Sequence, residues 1–281
     1  MGKKYIYGAA FAAATLLTGA SQADFVLQED FESFETGDFL SGTNGTLAAA
    51  AGWSALNGVN SPGDTVDIID MNPPVTGSTA FSPPNKALNS SNVGTFNALG
   101  MVLDGNGIAD GDTGTLFFQY ATRGDNFVVF RGGFDDGTGD GFPISGNLQQ
   151  LNTGALRVRD NTADVLTGVS NVGNAIMNVW FVIDNANDTY DLFVQSDEAA
   201  AFVAPVQLGD DLDFDSGQYV DGSDISRFTF LWETNNGVFI DNIFLDADSV
   251  NLNNPTIPEP GSLGIAGFGA LLMLARRRRK A

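Results

Sequence analysis

Short stretches rich in Phe, Val and Ile recur along the chain, and each is bounded by Gly, Asn or Asp. In the stretch from 190 to 195, Tyr190, Leu192 and Val194 would share one face of an extended chain, and the intervening residues would share the other. Aromatic and β-branched residues between turn formers are typical of strands. The pattern predicts strands at residues 115–121, 126–132, 155–160, 178–184, 189–196, 225–233 and 237–246.

Two turns in this pattern predict hairpins. The segment DNANDT joins the predicted strands 178–184 and 189–196, and TNNG joins 225–233 to 237–246; Asn-Gly is a favoured pair in short hairpin turns. No long helical period is present. The expected fold is therefore all-β, a two-sheet antiparallel β-sandwich that spans residues 24–254 as one domain.

The two ends of the chain differ from this middle part. Residues 1–23 begin with a basic MGKK, continue as an apolar run and end in the small residues of ASQA, which predicts a secretory signal peptide cleaved after Ala23. Residues 255–281 contain a Pro-Glu-Pro triplet, an uncharged stretch at 261–275 and a basic cluster. The residues that define this C-terminal signal are Pro258, Glu259, Pro260, Arg276, Arg277, Arg278 and Arg279.

Composition narrows the function of the middle part. Residues 24–254 hold 33 acidic and six basic side chains, a net charge of −27, so this surface repels nucleic acid, and nucleic-acid binding is excluded. The chain has no His and no Cys. Serine and cysteine triads that need histidine, histidine metal sites and disulfides are therefore excluded.

The C-terminal triplet, apolar stretch and basic cluster, in this order and position, resemble the PEP-CTERM sorting signal. The resemblance implies a protein exported by a Gram-negative bacterium, many of which produce exopolysaccharide, and cleavage by the membrane enzyme exosortase. The apolar stretch is shorter than the roughly 20 residues of a membrane-spanning helix. We therefore expect only transient membrane contact and a final location at the cell surface or in the extracellular matrix.

The middle part resembles concanavalin A-like and carbohydrate-binding jelly rolls in four motifs: LQEDFESFETGDF at the start, GW at 52–53, WFVIDNANDTYDLFVQ in the middle and VFIDNIFLD at the end. The resemblance implies that the first strand pairs near the last. It also implies a structural Ca²⁺ between these strands, bound by Glu29, Asp30 or Glu32 together with Asp241 or Asp246, because carboxylate oxygens are calcium ligands.

A second calcium candidate is the loop DDGTGDGF, in which Asp136 and Asp140 have the spacing of the first half of a calcium-binding loop. A Gly/Asp turn without metal is the alternative. No residue pattern identifies a catalytic site. Glu233 in FLWETNNG is the single mid-sheet glutamate that is a candidate for catalysis, and a solvated glutamate at a hairpin end is its alternative interpretation.

Exposed aromatic rings would stack on sugars, and Trp53, Tyr120 and Trp232 are the candidates; core packing is the alternative for each. Together these features predict a non-catalytic surface or matrix protein that binds extracellular polysaccharide, with calcium as an expected stabiliser. A glycoside hydrolase or polysaccharide lyase on the same fold, and a structural or adhesive protein without a sugar ligand, remain as alternatives.

Overall fold

The computed structural model describes residues 25–57, 65–70, 86–91, 97–103, 105, 107–122, 129–138, 144–171, 175–196, 204–233 and 238–255. The predicted signal peptide, the seven residues of the C-terminal signal and Asp140 lie outside these ranges, as does the side chain of Glu233. In the described part the elements are β1 (Val26–Glu29), β2 (Gly37–Asp38), α1 (Gly42–Ala50), β3 (Trp53–Asn57), β4 (Thr65–Asp70), β5 (Lys86–Ser91), β6 (Asn97–Val102), β7 (Thr113–Thr122), β8 (Val129–Asp135), β9 (Gly146–Gln150), β10 (Ala155–Asp160), β11 (Ala163–Ser170), β12 (Met177–Asp184), β13 (Thr189–Ser196), β14 (Val206–Asp213), β15 (Arg227–Glu233) and β16 (Val238–Asp246).

These strands form two antiparallel sheets. Sheet A has the order β14-β13-β12-β7-β16-β5-β4-β2, and β1 pairs with β16 beside that path. Sheet B has the order β11-β10-β9-β8-β15-β6-β3. The facing sides of the sheets enclose one large apolar core that includes Phe118, Phe134, Phe181 and Phe230. The prediction of an all-β, two-sheet antiparallel sandwich is confirmed.

The burial pattern explains why apolar and polar residues alternate along some strands, whereas other strands are apolar throughout. Strand β13 alternates between buried and partly buried residues, as its sequence predicts. Strands β7 and β12 are buried on both faces: Phe118 and Phe181 point into the core, whereas Phe117 and Trp180 lie buried on the outer face of sheet A. A strand that is covered on both faces needs no polar side, which accounts for the continuous apolar runs of these segments.

The two hairpin predictions have different outcomes. Strands β12 and β13 form the predicted antiparallel hairpin through Asp184 and Thr189. The second hairpin prediction is wrong, because β15 lies in sheet B between β6 and β8, whereas β16 lies in sheet A between β7 and β5. The inner faces of both strands are apolar, and each contributes residues to the core from its own sheet.

The ends of the domain meet as the jelly-roll resemblance implies. Strand β1 pairs antiparallel with β16, and Val26 lies opposite Leu245. The described parts of the segment between residues 40 and 97 contain α1 and strands β3 to β5. These short elements close one side of both sheets.

Candidate functional site

The three aromatic candidates lie in the core. Trp53 is 4% exposed, and Tyr120 and Trp232 are fully buried. The Tyr120 ring stacks on Phe130 at a centroid distance of 4.7 Å, and Trp232 stacks on Phe230 at 5.1 Å. The structure therefore places each ring in the core position that was the alternative to sugar stacking.

The hydroxyl of Tyr120 belongs to a buried polar network. It donates a hydrogen bond to Gln150 Oε1 at 3.0 Å, and Asn171 Nδ2 donates to the same oxygen at 3.2 Å. Gln150 Nε2 in turn donates to the hydroxyl of Thr122 at 3.3 Å. Burial raises the pKa of Tyr120 well above its ordinary value. This network fixes the tyrosine as a neutral hydrogen-bond donor inside the domain.

Glu29, the last residue of β1, and Glu32 accept hydrogen bonds from neighbouring residues. Glu29 Oε1 accepts hydrogen bonds from the backbone N–H groups of Asp30 and Phe31, at 3.0 and 2.7 Å, and Oε2 accepts one from the Trp53 indole at 3.4 Å. Burial raises the pKa of Glu29, although these three hydrogen bonds oppose the shift. Glu32 Oε1 accepts the backbone N–H of Lys86 at 2.7 Å.

Asp241 and Asp246 lie at different ends of the pairing between β1 and β16. Glu29 lies opposite Ile243, so Asp241 falls beyond the end of β1, whereas Asp246 falls beside its start. Because β16 is bulged between them, the two aspartates lie opposite Gln119 and Thr115 of β7, four strand residues or roughly 13 Å apart, and calcium–oxygen distances are about 2.3–2.6 Å. One ion therefore cannot be bound by both aspartates.

Asp246 organises the chain that follows it. Its Oδ2 accepts hydrogen bonds from the hydroxyl of Ser249 at 2.9 Å and from Asn251 Nδ2 at 3.1 Å, and its Oδ1 accepts the backbone N–H of Asp248 at 3.3 Å. Asp246 is 3% exposed. The carboxylate thus caps a turn, and this role accounts for its burial.

The second calcium candidate is described only in part. Asp136 Oδ1 accepts hydrogen bonds from the backbone N–H and the hydroxyl of Thr138, at 2.9 and 2.8 Å, and Oδ2 accepts the N–H of Val220 at 2.9 Å. Asp140 lies outside the described residues. Within the described ranges, no group of three or more Asp, Glu, His or Cys residues is placed to hold a metal ion. Calcium binding stays a prediction.

A polar cluster on the outer face of sheet A was not predicted. Gln119 of β7 lies opposite both Asn178 of β12 and Asp241 of β16. Gln119 Nε2 donates to Asn178 Oδ1 at 2.6 Å, and Asn242 Nδ2 donates to Gln119 Oε1 at 2.6 Å. Because these amides satisfy one another, the cluster is a structural network within a buried face.

The chain beyond β16 also crosses this outer face, and we call residues 247–255 the C-terminal strap. The hydroxyl of Thr115 donates to Ser249 O at 2.8 Å and accepts the N–H of Asn251 at 2.9 Å. Trp180 Nε1 donates to Asn253 O at 2.9 Å. These contacts with β7 and β12 hold the strap against the sheet up to the end of the described chain.

The outer face of sheet B carries a different arrangement, an arginine row formed by Arg131, Gln149 and Arg157. These side chains occupy adjacent positions on β8, β9 and β10, because Gln149 lies opposite both Arg131 and Arg157. The row points away from the core, since Arg157 alternates with the buried Leu156 and Val158. Three neighbouring strands thus present two guanidinium groups with a carboxamide between them.

The arginine row has unused hydrogen-bonding capacity. The Nε atoms of Arg131 and Arg157 and the Oε1 atom of Gln149 are buried, and none has a hydrogen-bond partner among the described residues. The arginine side chains are nevertheless 31% and 34% exposed. A polar atom left unsatisfied in a buried position costs about 1–3 kcal/mol, and most buried polar groups in folded proteins have a hydrogen-bond partner.

Arg159, Asp164 and Asp215 border the row. Arg159 donates from Nε and Nη2 to Asp215 Oδ2, at 2.9 and 2.8 Å, and from Nη1 to Asp164 Oδ1 at 2.9 Å. Burial would lower the pKa of Arg159, but its bonds to the two carboxylates outweigh burial and raise it. Arg159 is therefore a fully engaged anchor.

The row arginines lie farther from these carboxylates. The Oδ2 atom of Asp164 is 4.0 Å from Arg131 Nη2 and 3.9 Å from Arg157 Nη1, which is beyond hydrogen-bond distance. Burial lowers the pKa of Arg131; the nearby Asp164 opposes this shift, and the positive charges of Arg159 and Arg157 add to it. Two of the three arginines thus keep donors that no described protein group uses.

Apolar side chains flank the row at both ends. On one side Leu231 of β15 lies opposite Arg131 and is buried with Ala98 and Ile144. On the other side Leu166 of the edge strand β11 lies opposite Arg157 and is 62% exposed. The candidate site is therefore a charged strip that ends at an exposed leucine.

Residues 256–280 match the model of the PEP-CTERM protein-sorting motif. The chain carries a sorting signal. The predicted resemblance is confirmed, and the motif indicates an exported protein that is processed at its C-terminus, which implies exosortase as the processing partner. The motif begins directly after the C-terminal strap, so the strap joins the folded domain to the processed segment.

Solved structures that resemble this chain do so at low identity. A sialidase aligns with a TM-score of 0.49 and 10% identity over 80% of this chain, which spans only 18% of the sialidase. The catalytic domain of a glycoside hydrolase family 131 β-glucanase from Podospora anserina aligns with a TM-score of 0.46 and 10% identity, covering 81% of this chain and 98% of that domain. The potassium-bound carbohydrate recognition domain of Emp46p aligns with a TM-score of 0.40 and 11% identity, covering 76% and 96%. The assignment of the fold rests on the two sheets themselves.

Curated protein sequences contain no match to this chain. In the described ranges, no helix has the length and apolar character needed to cross a membrane.

Proposed function

We propose that this protein is a non-catalytic, exported cell-surface or matrix protein that binds extracellular polysaccharide through the outer face of sheet B. The observation that supports this proposal most strongly is the arginine row, in which the partly exposed guanidinium groups of Arg131 and Arg157 lie beyond hydrogen-bond distance of Asp164. A polar ligand that lies along β8, β9 and β10 would use the exposed donors of the two arginines.

The shape and chemistry of the row suit a glycan. A sugar chain presents hydroxyl and other polar groups at regular spacing, and neighbouring strands present side chains about 4.7–4.9 Å apart in the hydrogen-bonding direction. The exposed Leu166 at the end of the row offers an apolar surface to the C–H groups of a sugar ring. The sorting motif would deliver this face to the compartment in which polysaccharide is found.

The test is direct binding of the exported protein to a panel of neutral and charged polysaccharides by isothermal titration calorimetry. We expect saturable binding to at least one class. Folded protein that binds no member of the panel would overturn the proposed function. A glycan-degradation assay on the same panel separates binding from catalysis, since product release would favour an enzyme.

A further inference from the structure

The arginine row has a local charge opposite to that of the whole domain. Residues 24–254 carry a net charge of −27, yet four of their six basic residues lie on sheet B, namely Arg131, Arg157, Arg159 and Arg227. Arg227 is buried and donates to Asp135 at 2.8 Å, so its charge is matched. The three remaining arginines form the positively charged part of an acidic surface.

The carboxylates beside the row do not neutralise all three arginines. Three guanidinium groups face two carboxylates, Asp164 and Asp215, and Arg159 binds both of them. Arg131 and Arg157 are left without a hydrogen-bonded carboxylate in the described structure. A guanidinium group offers five donors in a planar fork that matches a carboxylate or another planar or tetrahedral oxyanion.

From this arrangement we infer that the arginine row binds the carboxylate or sulfate groups of an acidic polysaccharide. The inference rests on the proposed function and names the class of its ligand. The anionic group is held by the exposed donors of Arg131 and Arg157, with Gln149 between them. Asp164, fixed by Arg159 at 2.9 Å, accepts hydrogen bonds from sugar hydroxyls beside the anionic group.

The acidic surface does not prevent such binding and makes it selective. At physiological ionic strength, charges more than about 8 Å apart are largely screened, so the ligand anion experiences mainly the charges of the row. Elsewhere the dense carboxylates repel a polyanion. Binding of an acidic chain to this protein therefore requires this face, and background binding to other surfaces is low.

The experiment uses ligands matched in backbone and different in charge. Polygalacturonate is compared with its methyl ester, which removes the carboxylate charge, and dextran sulfate is compared with neutral dextran. We expect the exported protein to bind polygalacturonate or dextran sulfate, and the uncharged partner of the bound chain at least about tenfold more weakly, because charge-assisted hydrogen bonds are roughly twice as strong as neutral ones. Comparison of the two charged chains distinguishes carboxylate from sulfate as the recognised group.

Variants assign the binding to the row. Arg157→Gln is expected to weaken binding of the charged chain at least about tenfold, and Arg157→Lys to recover part of the loss because it restores charge without the planar fork. Lys86→Gln, which removes one positive charge from sheet A, serves as the matched control and should leave binding unchanged. Circular dichroism and thermal melting check that each variant is folded.

The outcomes separate the inference from the proposed function. Equal binding of charged and uncharged chains, or unchanged binding by folded Arg157→Gln, would overturn the anion inference and leave polysaccharide binding intact. An absence of binding to all four chains, together with no binding in the wider panel, would overturn both.

Discussion

The C-terminal strap gives a prediction whose size follows from two hydrogen bonds. Thr115→Val keeps the shape of the side chain but removes a hydroxyl that donates to Ser249 O and accepts from Asn251 N–H. Thr115 is fully buried, so both strap atoms lose a partner in a site where water replaces it poorly. With net contributions of about 0.5–1.5 kcal/mol for each bond, the variant should lose about 1–3 kcal/mol.

This loss can appear in two measurements. If the strap unfolds with the domain, the melting temperature falls by about 2–12 °C, at about 2–4 °C per kcal/mol for a domain of this size. If the strap opens by itself, hydrogen exchange in a peptide that covers residues 248–255 accelerates by roughly 5- to 150-fold. Differential scanning calorimetry and hydrogen exchange by mass spectrometry distinguish the two.

Thr113→Val is the matched control, since Thr113 lies on the same strand two residues earlier, whereas the threonine hydroxyl that bonds to the described strap is that of Thr115. We expect this variant to melt and exchange like the wild type. If Thr115→Val behaves like Thr113→Val in both measurements, the prediction is wrong, because the Thr115 hydroxyl would then not stabilise the strap.

Two further predictions concern pH and calcium. Burial raises the pKa of Asp135 to about 6, although Arg227, Thr229 and Gly137 N–H oppose the shift. Because this pKa lies above the unfolded value, the stabilising contribution of the protonated carboxyl is present below about pH 4 and declines by about 3 kcal/mol as the pH rises through 6. Denaturant unfolding of wild type and Asp135→Asn between pH 4 and 7 should show this loss in the wild type only, and parallel profiles would contradict it. For calcium, saturation at 100 times the dissociation constant should stabilise the domain by about 2.7 kcal/mol over an EDTA-treated sample. Melting that is identical with calcium, magnesium and EDTA would reject a specific site.

The strands that could be predicted are those in which the local pattern of apolar and polar residues follows the burial of the side chains. Strand β13 alternates with period two, and its bounds match the predicted 189–196. The hairpin from β12 to β13 followed from a turn-rich segment of six residues between two apolar runs. The turn after β15 looks equally favourable, yet its strands enter different sheets. Local turn chemistry does not report which neighbour a strand has, because that choice depends on partners distant in sequence.

The arginine row could be predicted only in part, because it also depends on which strands are neighbours. Arg157 alternates with core residues in a predicted strand, so its outward direction was readable from the sequence. Strand β9, which carries Gln149 and brings β8 beside β10, was not predicted, because its residues GNLQQ contain a single large apolar side chain. Gln150 points inward to Tyr120 and is satisfied there by hydrogen bonds, which a hydrophobicity pattern does not show. The arginines could therefore be seen individually but not as one row.

The central claim is that the outer face of sheet B binds polysaccharide. Hydrogen exchange of the exported protein, measured with and without saturating polysaccharide of the class that it binds, tests this claim most directly. We predict slower exchange in peptides from β8, β9 and β10 and unchanged exchange in β5 and β13 of sheet A. Protection confined to sheet A, with β8 to β10 unaffected by a bound ligand, would contradict the account.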